Sequence, residues 1–557
     1  MAKSLVVATL MWLTLAHPHE SRGPAKLPSP LKIIDDSIKA LGGLNALRGL
    51  RGVTYESADI FHTSTLMQNY KLFTTDRYIV NLGSQNLSFS FSENTFQHRI
   101  DRVFQHSDYF FFANPTLPPG HFSLVMQNGT ENGFACYVDG NNNAFIAPDQ
   151  VAGYADSALT DYLLFQANKF SPKLLLDIRS HKIATQIVEL NKVENLAVHD
   201  FDLNITVIFD GYTHYPKIIR SFEDHAIFGI TTQDLELSNY AEVSGIQFPH
   251  RRMVLYNGSA ILEDTTVSRV SVNPTFSPGF FDGLAANETE TRSAPPKRIA
   301  GYTHAEIGEY WYNTFWGGEY TGTYNNLSVV QPASDLPHVH KLLFLDQTNL
   351  EQLVLEFDDS IIVFEAPPHQ TDLVIQWVNE TLKRPITHFW PSHHHHDHNY
   401  EVRKYVELGA KIIVPEVSAP YWKQIPNAKL ITFNENKPYI HSDGKMQARF
   451  LWRPEAAHSV DWTYSIITTA CPSANSTILT YVADAWSTAF PFDSAFARSW
   501  LVQASADGLS RNALAVPAHG QPTPLVELID ALAFDYPDLK TTDFKTGGNI
   551  CLKAHHY

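Results

Sequence analysis

The sequence predicts an α+β protein of two domains, in which an antiparallel β-rich domain precedes a domain of alternating strands and helices. The chain of 557 residues exceeds the roughly 100 to 200 residues of one ordinary domain. Its first half alternates apolar and polar residues with the period of a strand, whereas beyond residue 300 apolar runs alternate with amphipathic segments. A hydrophobic content of 44% is enough to bury a large core.

Residues 1–16 are predicted to be a secretory signal peptide. Lys3 precedes an apolar run that ends at the small residue Ala16, just before polar residues. The run is too short to span a bilayer comfortably, and no later segment has the length of a membrane-spanning helix. An uncleaved anchor is the alternative interpretation.

Eight Asn-X-Ser/Thr sequons are spread over the whole length of the chain, which favours a secreted, N-glycosylated protein. They begin at Asn86, Asn128, Asn204, Asn257, Asn287, Asn326, Asn379 and Asn475. Export is also compatible with one disulfide among the three cysteines, and Cys471 with Cys551 is the favoured pair because both lie in the same half.

Charge excludes one class of partner. The formal net charge is −17, and Lys and Arg are not clustered, whereas nucleic-acid binding draws on a basic surface. A small-molecule substrate is therefore expected rather than nucleic acid.

Residues 30–284 are predicted to form the β-rich accessory domain. It begins with a helix that Gly42 and Gly43 interrupt. The stretch DLNITVIFD alternates apolar and polar residues, which predicts a half-solvated strand with Asn204 outside. Farther on, Asn257-Gly258 between two strand-like runs predicts a two-residue hairpin turn.

The segment AANETETRSAPPKRIA at 285–300 is polar and contains prolines, as interdomain linkers do. The stretch ALGGLNAL and the closing stretch NYAEVSGIQFPHRRMVLYNGSAILEDTTVSRVSVNPTFSPGFF of the first domain resemble the curved-sheet domain of periplasmic lipoprotein carriers. That resemblance implies a concave sheet that could hold an apolar molecule. A plain accessory β domain is the alternative.

Residues 301–557 are predicted to form an α/β domain. Strand-like SIIVFEAP is followed by amphipathic QTDLVIQWVNETL, a short strand in PITHFWP, a helix EVRKYVELG that ends at Gly409, and a strand KIIVP. In such layers, a site is expected where the strands end.

The stretch HFWPSHHHHDHNY at the end of the short strand contains a His-x-His-x-Asp-His pattern. As a plain histidine tract it would bind metal loosely without chemistry. In extended backbone, side chains two residues apart point the same way, so His393, His395 and Asp397 are expected to converge. His394 and His396 then face away.

Three polar residues downstream decide between these interpretations. His458 lies in RPEAAHSVDWTYSII, Asp484 ends a strand in ILTYVADAW, and His519 ends another in ALAVPAHGQP. Each is a metal-ligand residue type at the end of an apolar strand or just before a turn.

With these residues, the C-terminal half resembles the metallo-β-lactamase superfamily, whose fold is an αββα sandwich with metals at the edge of two sheets. The resemblance implies two zinc ions, with manganese or iron as possible substitutes. The implied ligands are His393, His395 and His458 for the first ion, Asp397, His398 and His519 for the second, and Asp484 between them. A carboxylate at Asp484 excludes the branch of the superfamily that has a cysteine ligand at this position. The ligand set of oxygen and nitrogen atoms resembles that of the glyoxalase II type thioesterases and the lactonases.

The resemblance implies a secreted dinuclear zinc hydrolase that cleaves an ester, thioester, lactone or lactam through a metal-bound hydroxide. Two ions about 3.5 to 4 Å apart lower the pKa of a bridging water towards 7. Asp397 is the expected catalytic residue, which orients that hydroxide or shuttles its proton. The alternative is a secreted carrier or binding protein for an apolar ligand, with a structural zinc fold.

Overall fold

The computed structural model describes residues 27–64, 80–91, 95–106, 119–128, 133–140, 151, 153–155, 157–258, 260–284, 323–345, 350–456, 458–484 and 494–547. The predicted signal peptide 1–16 and linker 285–300 lie outside the described residues. What is described is mainly β-sheet with a smaller share of helix, in agreement with the α+β class. None of the described helices has the length and apolar character needed to cross a membrane.

A large antiparallel sheet occupies the described residues of the N-terminal half. Its strands are β1 Gly52–Ser64, β2 Val80–Phe91, β3 Phe96–His106, β4 Gly120–Gln127, β5 Phe134–Gly140, β6 Gly153–Tyr154, β7 Ile183–Leu190, β8 Val193–Asp200, β9 Ile205–Phe209, β10 Pro216–His225, β11 Gly229–Val243, β12 Ile246–Tyr256, β13 Ala260–Thr266 and β14 Arg269–Val272. Their order in the sheet is β6-β5-β4-β3-β2-β1-β13-β12-β11-β10-β9-β8-β7, and β14 also pairs with β1. A turn at Asn257 and Gly258, with φ of 47° and 71°, joins β12 to β13 as predicted. Its predicted length of two residues is wrong, because Tyr256 pairs with Ala260 and three residues lie between them.

Within the described residues, four helices accompany this sheet. They are α1 Pro30–Ala40, α2 Leu44–Arg48, α3 Ser157–Phe170 and α4 Leu174–Ile178. The predicted helix break is confirmed, because Gly42 adopts φ of 124° and a Cβ there would lie 2.3 Å from the carbonyl oxygen of Gly245. The backbone of the break docks on the β11–β12 turn, where Gln247 N donates to Leu41 O at 3.0 Å. Apolar residues of α1 and α4 pack against one face of the sheet and form the core of this half.

The prediction of a half-solvated strand in DLNITVIFD is wrong, because every residue of β9 is buried. Ile205 and Val207 pack into the core beneath the helices. Ile208, on the opposite face, packs with Ala197 of β8 and with a residue of β10. Asn204 is exposed as predicted, in a turn with φ of 50°.

Two further sheets form the C-terminal half. The first, in spatial order, contains β15 Leu327–Val330, β16 Val339–Phe344, β17 Gln352–Glu356, β18 Ile361–Phe364, β19 His388–Trp390, β20 Lys411–Pro415 and β21 Lys429–Phe433. The second contains β22 Tyr439–Ser442, β23 Met446–Trp452, β24 Thr463–Thr469, β25 Leu479–Val482, β26 Leu514–Pro517 and β27 Thr523–Pro524. The strands β18 to β21 run parallel, as do β25 and β26.

The helices of this half cover the outer faces of both sheets. They are α5 Thr371–Trp377, α6 His396–Asn399, α7 Val402–Glu407, α8 Ala419–Trp422, α9 Ser494–Ala506 and α10 Leu525–Leu532. One apolar cluster joins the facing sides of the two sheets, with Phe364 and Trp390 from the first and Phe450 and Tyr481 from the second. Separate clusters join each outer face to its helices. The layers therefore follow the order helix, sheet, sheet, helix.

One of these clusters also contains residues from the N-terminal sheet. Ile227 and Phe228, in the turn between β10 and β11, share a core with the helices that cover the first C-terminal sheet. Arg403 of α7 donates from Nη1 to Asp224 Oδ1 at 3.0 Å and to His225 O at 3.3 Å. The division into domains at 30–284 and 301–557 therefore stays a prediction.

The cysteines agree with the predicted bridge as far as they are described. Cys471 is disulfide-bonded, and Cys551 lies outside the described residues. Cys136 is a buried thiol on β5.

Candidate metal centre

The histidine tract leaves β19 as a loop and enters one helical turn, α6. His395 is extended, with φ of −60° and ψ of 141°, so the predicted alternation holds for His393 and His395. Asp397 and His398 instead lie in the helical turn, so extended backbone does not place them. The side chain of Asn399 fixes the loop by donating to His393 O at 3.1 Å and to His395 O at 2.6 Å.

A second loop, between β23 and β24, brings His458 to the tract. The backbone and the hydroxyl of Thr463 both donate to Ser392 O, at 2.7 and 2.8 Å. These two bonds join the loops at the base of the site. This attachment holds His458 near the histidine tract, because His458 lies five residues before Thr463 on the same connection.

The first cluster contains three imidazoles. His458 Nε2 lies 3.2 Å from His393 Nε2 and 3.0 Å from His395 Nδ1. Asp484 Oδ2 lies 3.1 Å from His458 Nε2 and 3.3 Å from His393 Nε2. All three histidines are buried.

The second cluster contains two imidazoles and two carboxylates. His398 Nε2 lies 3.1 Å from Asp484 Oδ2 and 3.4 Å from Asp397 Oδ2. His519 Nε2 lies 3.0 Å from Asp484 Oδ1 and 3.7 Å from Asp397 Oδ2. Asp484, which follows β25 with φ of 58°, therefore uses both oxygens and belongs to both clusters.

The two clusters differ in protonation. Burial lowers the pKa of His393 to about 3 and drives the pKa of His395 well below its ordinary value. Burial opposes charge on His398 too, but Asp484 and Asp397 raise its pKa well above the ordinary value. Burial also opposes charge on His519, but the hydrogen bonds that its ring donates to Asp397 and Asp484 raise its pKa to about 9.

These donor sets fit divalent ions. In each cluster, one atom from every member lies within 4.8 Å of the others. Buried neutral imidazoles beside a carboxylate form a donor set that Zn²⁺ takes in proteins, and Mn²⁺ or Fe²⁺ accept similar ligands. In the second cluster, a bound cation would replace the protons that now balance the carboxylates.

The two histidines predicted to face away do so, and each has a structural contact. His394 Nδ1 lies 2.7 Å from Asp461 Oδ1 in a buried pair. Burial acts to raise the pKa of Asp461, but the pairing with His394 outweighs it and the pKa is lowered. His396 packs against His225 of the N-terminal sheet, with ring centroids 5.3 Å apart.

Sequence reasoning missed Glu365, a buried carboxylate just after β18. Its Oε2 lies 3.6 Å from His398 Nδ1 and accepts from Ser392 N at 3.4 Å. Burial raises its pKa, although the charge of His398 opposes this. The signal was present, since a carboxylate ends the apolar strand in SIIVFEAP just as Asp484 ends its own.

Comparisons with known proteins add limited information. No family model and no curated protein matches the chain. Among solved structures, a metallo-β-lactamase from Pontibacter korlensis is similar at 14% identity and a TM-score of 0.29, covering 37% of this chain and 97% of that one. A metallo-β-lactamase from Novosphingobium pentaromativorans has 15% identity and a TM-score of 0.27, with 38% and 82% covered.

A mutant flavo di-iron protein from Thermotoga maritima is also similar, at 9% identity and a TM-score of 0.29 over 38% of this chain and 60% of that one. These proteins do not show the predicted resemblance of the N-terminal domain to periplasmic lipoprotein carriers. All seven predicted ligands lie in the two clusters described above, and their assignment as ligands stays a prediction.

Proposed function

We propose that this chain is a secreted hydrolase that uses two divalent ions, zinc in the first instance, to cleave an ester, thioester, lactone or lactam. The observation that carries the proposal is the pair of His/Asp clusters that share Asp484. Two neighbouring donor sets on one carboxylate are what a two-metal site requires. A single structural ion would need only one of them.

When bound, two such ions acidify water and polarise a carbonyl oxygen. The chain contributes the proton acceptor. Asp397 directs Oδ2 toward His398 and His519, and its Oδ1 accepts no hydrogen bond from any described residue. We therefore assign to Asp397 Oδ1 the orientation of the attacking water and the transfer of its proton to the leaving group.

The second cluster is more accessible than the first, although Oδ1 of Asp397 is itself buried. Asp397 is 27% exposed, whereas His393 and His398 are fully buried. His519 is partly exposed at 15%. A small-molecule substrate would thus reach the second cluster first.

Export is part of the proposal, and the sequons support it. Of the seven sequon asparagines in the described residues, Asn86, Asn204, Asn379 and Asn475 are exposed and the other three are half-buried. An oligosaccharide can be attached only to an accessible side chain.

The test is a substrate screen with lactones, thioesters, esters, lactams and phosphodiesters, run on the native protein and on Asp397→Ala. We expect kcat/KM on the preferred substrate to fall by roughly 10² to 10⁴ fold, the usual contribution of a general base. Asp538→Ala, which removes an exposed carboxylate paired with Arg498, is the matched control and should keep full activity. Fewer than two tightly held ions per purified chain, or activity that survives Asp397→Ala, would contradict the proposal.

A further inference from the structure

A cavity of about 60 Å³ lies between the N-terminal helices and the large sheet, away from the metal centre. Its walls are mainly apolar, with Leu174 from α4 and Leu235 and Phe248 from the sheet. Two cationic side chains also line it, Lys169 and Arg252. No carboxylate among the described residues lines the cavity.

Arg252 of β12 is an unusual residue to find there. It is only 3% exposed. Its guanidinium lies between two aromatic rings, 5.0 Å from the centroid of Tyr55 and 4.9 Å from that of Phe170. None of its three nitrogens has a hydrogen-bond acceptor among the described residues. Buried charges in proteins are normally paired and hydrogen-bonded, because an uncompensated one is costly.

The charged groups around Arg252 do not compensate it. Lys169 is another cation, and its ammonium already donates to Ser221 Oγ at 2.8 Å and to Gln233 Oε1 at 3.0 Å. The carboxylate that acts on Arg252 through space is Glu263.

Glu263 makes its own contacts elsewhere. It accepts from Gln85 and from Thr265, and it pairs with Arg102 at 3.6 Å. The cavity therefore has a positive charge, apolar walls and five donor hydrogens on Arg252 that no described protein group accepts.

We propose that this cavity is a binding site for a small carboxylate with an apolar body, whose carboxylate accepts two parallel hydrogen bonds from Arg252. A guanidinium and a carboxylate match in this bidentate geometry, and the pair is strengthened by burial. One water needs roughly 10 to 15 Å³ of such space, so the cavity of about 60 Å³ holds about four to six non-hydrogen atoms, which suits a short-chain acid. Gln247 and Pro249, which line the cavity near the β11–β12 turn, are half-buried.

The test is calorimetric titration of the full-length protein with butyrate and with butan-1-ol, its neutral counterpart of similar size. We expect butyrate to bind and the alcohol to bind at least about tenfold more weakly, because the alcohol has neither the negative charge nor the second acceptor oxygen that pairs with a guanidinium. Arg252→Met should weaken butyrate binding by a similar factor.

The matched control is Arg251→Met. Arg251 is the preceding residue on β12, but it is exposed and paired with Asp264, so butyrate binding should not change. Butyrate held by the metal centre would persist in Arg252→Met, and that result overturns the proposal. Equal binding of butyrate and butan-1-ol overturns it as well, as does the absence of butyrate binding.

Thermal melting separates a ligand-binding arginine from a structural one. If Arg252 serves a ligand, ligand-free Arg252→Met should melt no lower than the native protein, because a costly buried charge is removed. A lower melting temperature, with no effect of butyrate on native melting, would identify Arg252 as a structural brace and overturn the proposal. Should Arg252→Met fail to fold, Arg252→Lys takes its place in the test. Lysine keeps the positive charge but lacks the two parallel N–H donors of a guanidinium, so butyrate binding should still weaken.

Discussion

The two halves of the metal centre share Asp484 but differ in the protonation of their histidines. The first, around His393 and His395, buries imidazoles whose pKa values are depressed, so they stay neutral. The second, around His398 and His519, adds the carboxylate of Asp397, and its imidazoles carry protons instead. The first half is thus ready to donate lone pairs to a cation, whereas the second must exchange its protons for one.

The largest expected effect comes from the residue common to both halves. Asp484→Ala removes an oxygen donor from each cluster, so both ions should be lost and kcat/KM should fall by at least about 10³ fold, which corresponds to the several kcal/mol that metal ions supply. Metal analysis of the purified variant measures this directly. Retention of both ions would show that Asp484 is not shared between them.

Single-ligand variants should separate the halves. His458→Ala removes a donor of the first cluster only, and His519→Ala one of the second only. Each variant should therefore keep about one ion per chain. If either variant loses both ions, the two clusters bind cooperatively rather than as the separate donor sets described above.

The histidines that face away should affect stability and not metal content. His394→Ala leaves Asp461 buried and unpaired, which costs roughly 3 to 5 kcal/mol of unfolding free energy. We expect two ions per chain together with a lower midpoint in urea. His394→Ala combined with Asp461→Asn should recover part of that loss, since the uncompensated charge is gone.

The smallest effect, when compared over a single pH unit, is the pH dependence of metal affinity, and it gives the sharpest contrast between the two halves. Because His519 holds a proton below a pKa of about 9 in the metal-free protein and the pKa of His398 is raised as well, affinity at the second cluster should fall by at least about tenfold per pH unit as pH decreases from 9 to 6. His393, with a pKa of about 3, has no proton to lose in that range, so the first ion should be held more evenly. Competition with a chelator at several pH values measures both affinities.

Much of the site was predictable from residue types and strand ends. Asp484 and His519 follow short, fully or nearly fully buried strands, so the pattern marked where each side chain would emerge. The backbone at Asp397 was not predictable, because a four-residue helix is shorter than any periodicity can reveal. Glu365 was not predicted, because no spacing rule links a carboxylate just after β18 to His398, 33 residues later.

The strand β9 shows a different limit. Its alternating residues predicted one solvent-exposed face, but Thr206 is buried along with its apolar neighbours. Side chains of the neighbouring strands β8 and β10 cover the second face of β9 at Ile208, so the sheet context overrides the local pattern. The exposure of Asn204 was predicted, but its place in a turn before β9 was not.

The contact between the β10–β11 turn and the histidine tract has a consequence for anyone dividing this chain. Phe228 lies on Tyr421, and His225 lies against His396, next to two metal-ligand candidates. A recombinant fragment starting at residue 301 would leave that apolar surface open to water and remove the support beneath the tract. A chimera that replaces the N-terminal half must carry a turn of the same shape to preserve the centre.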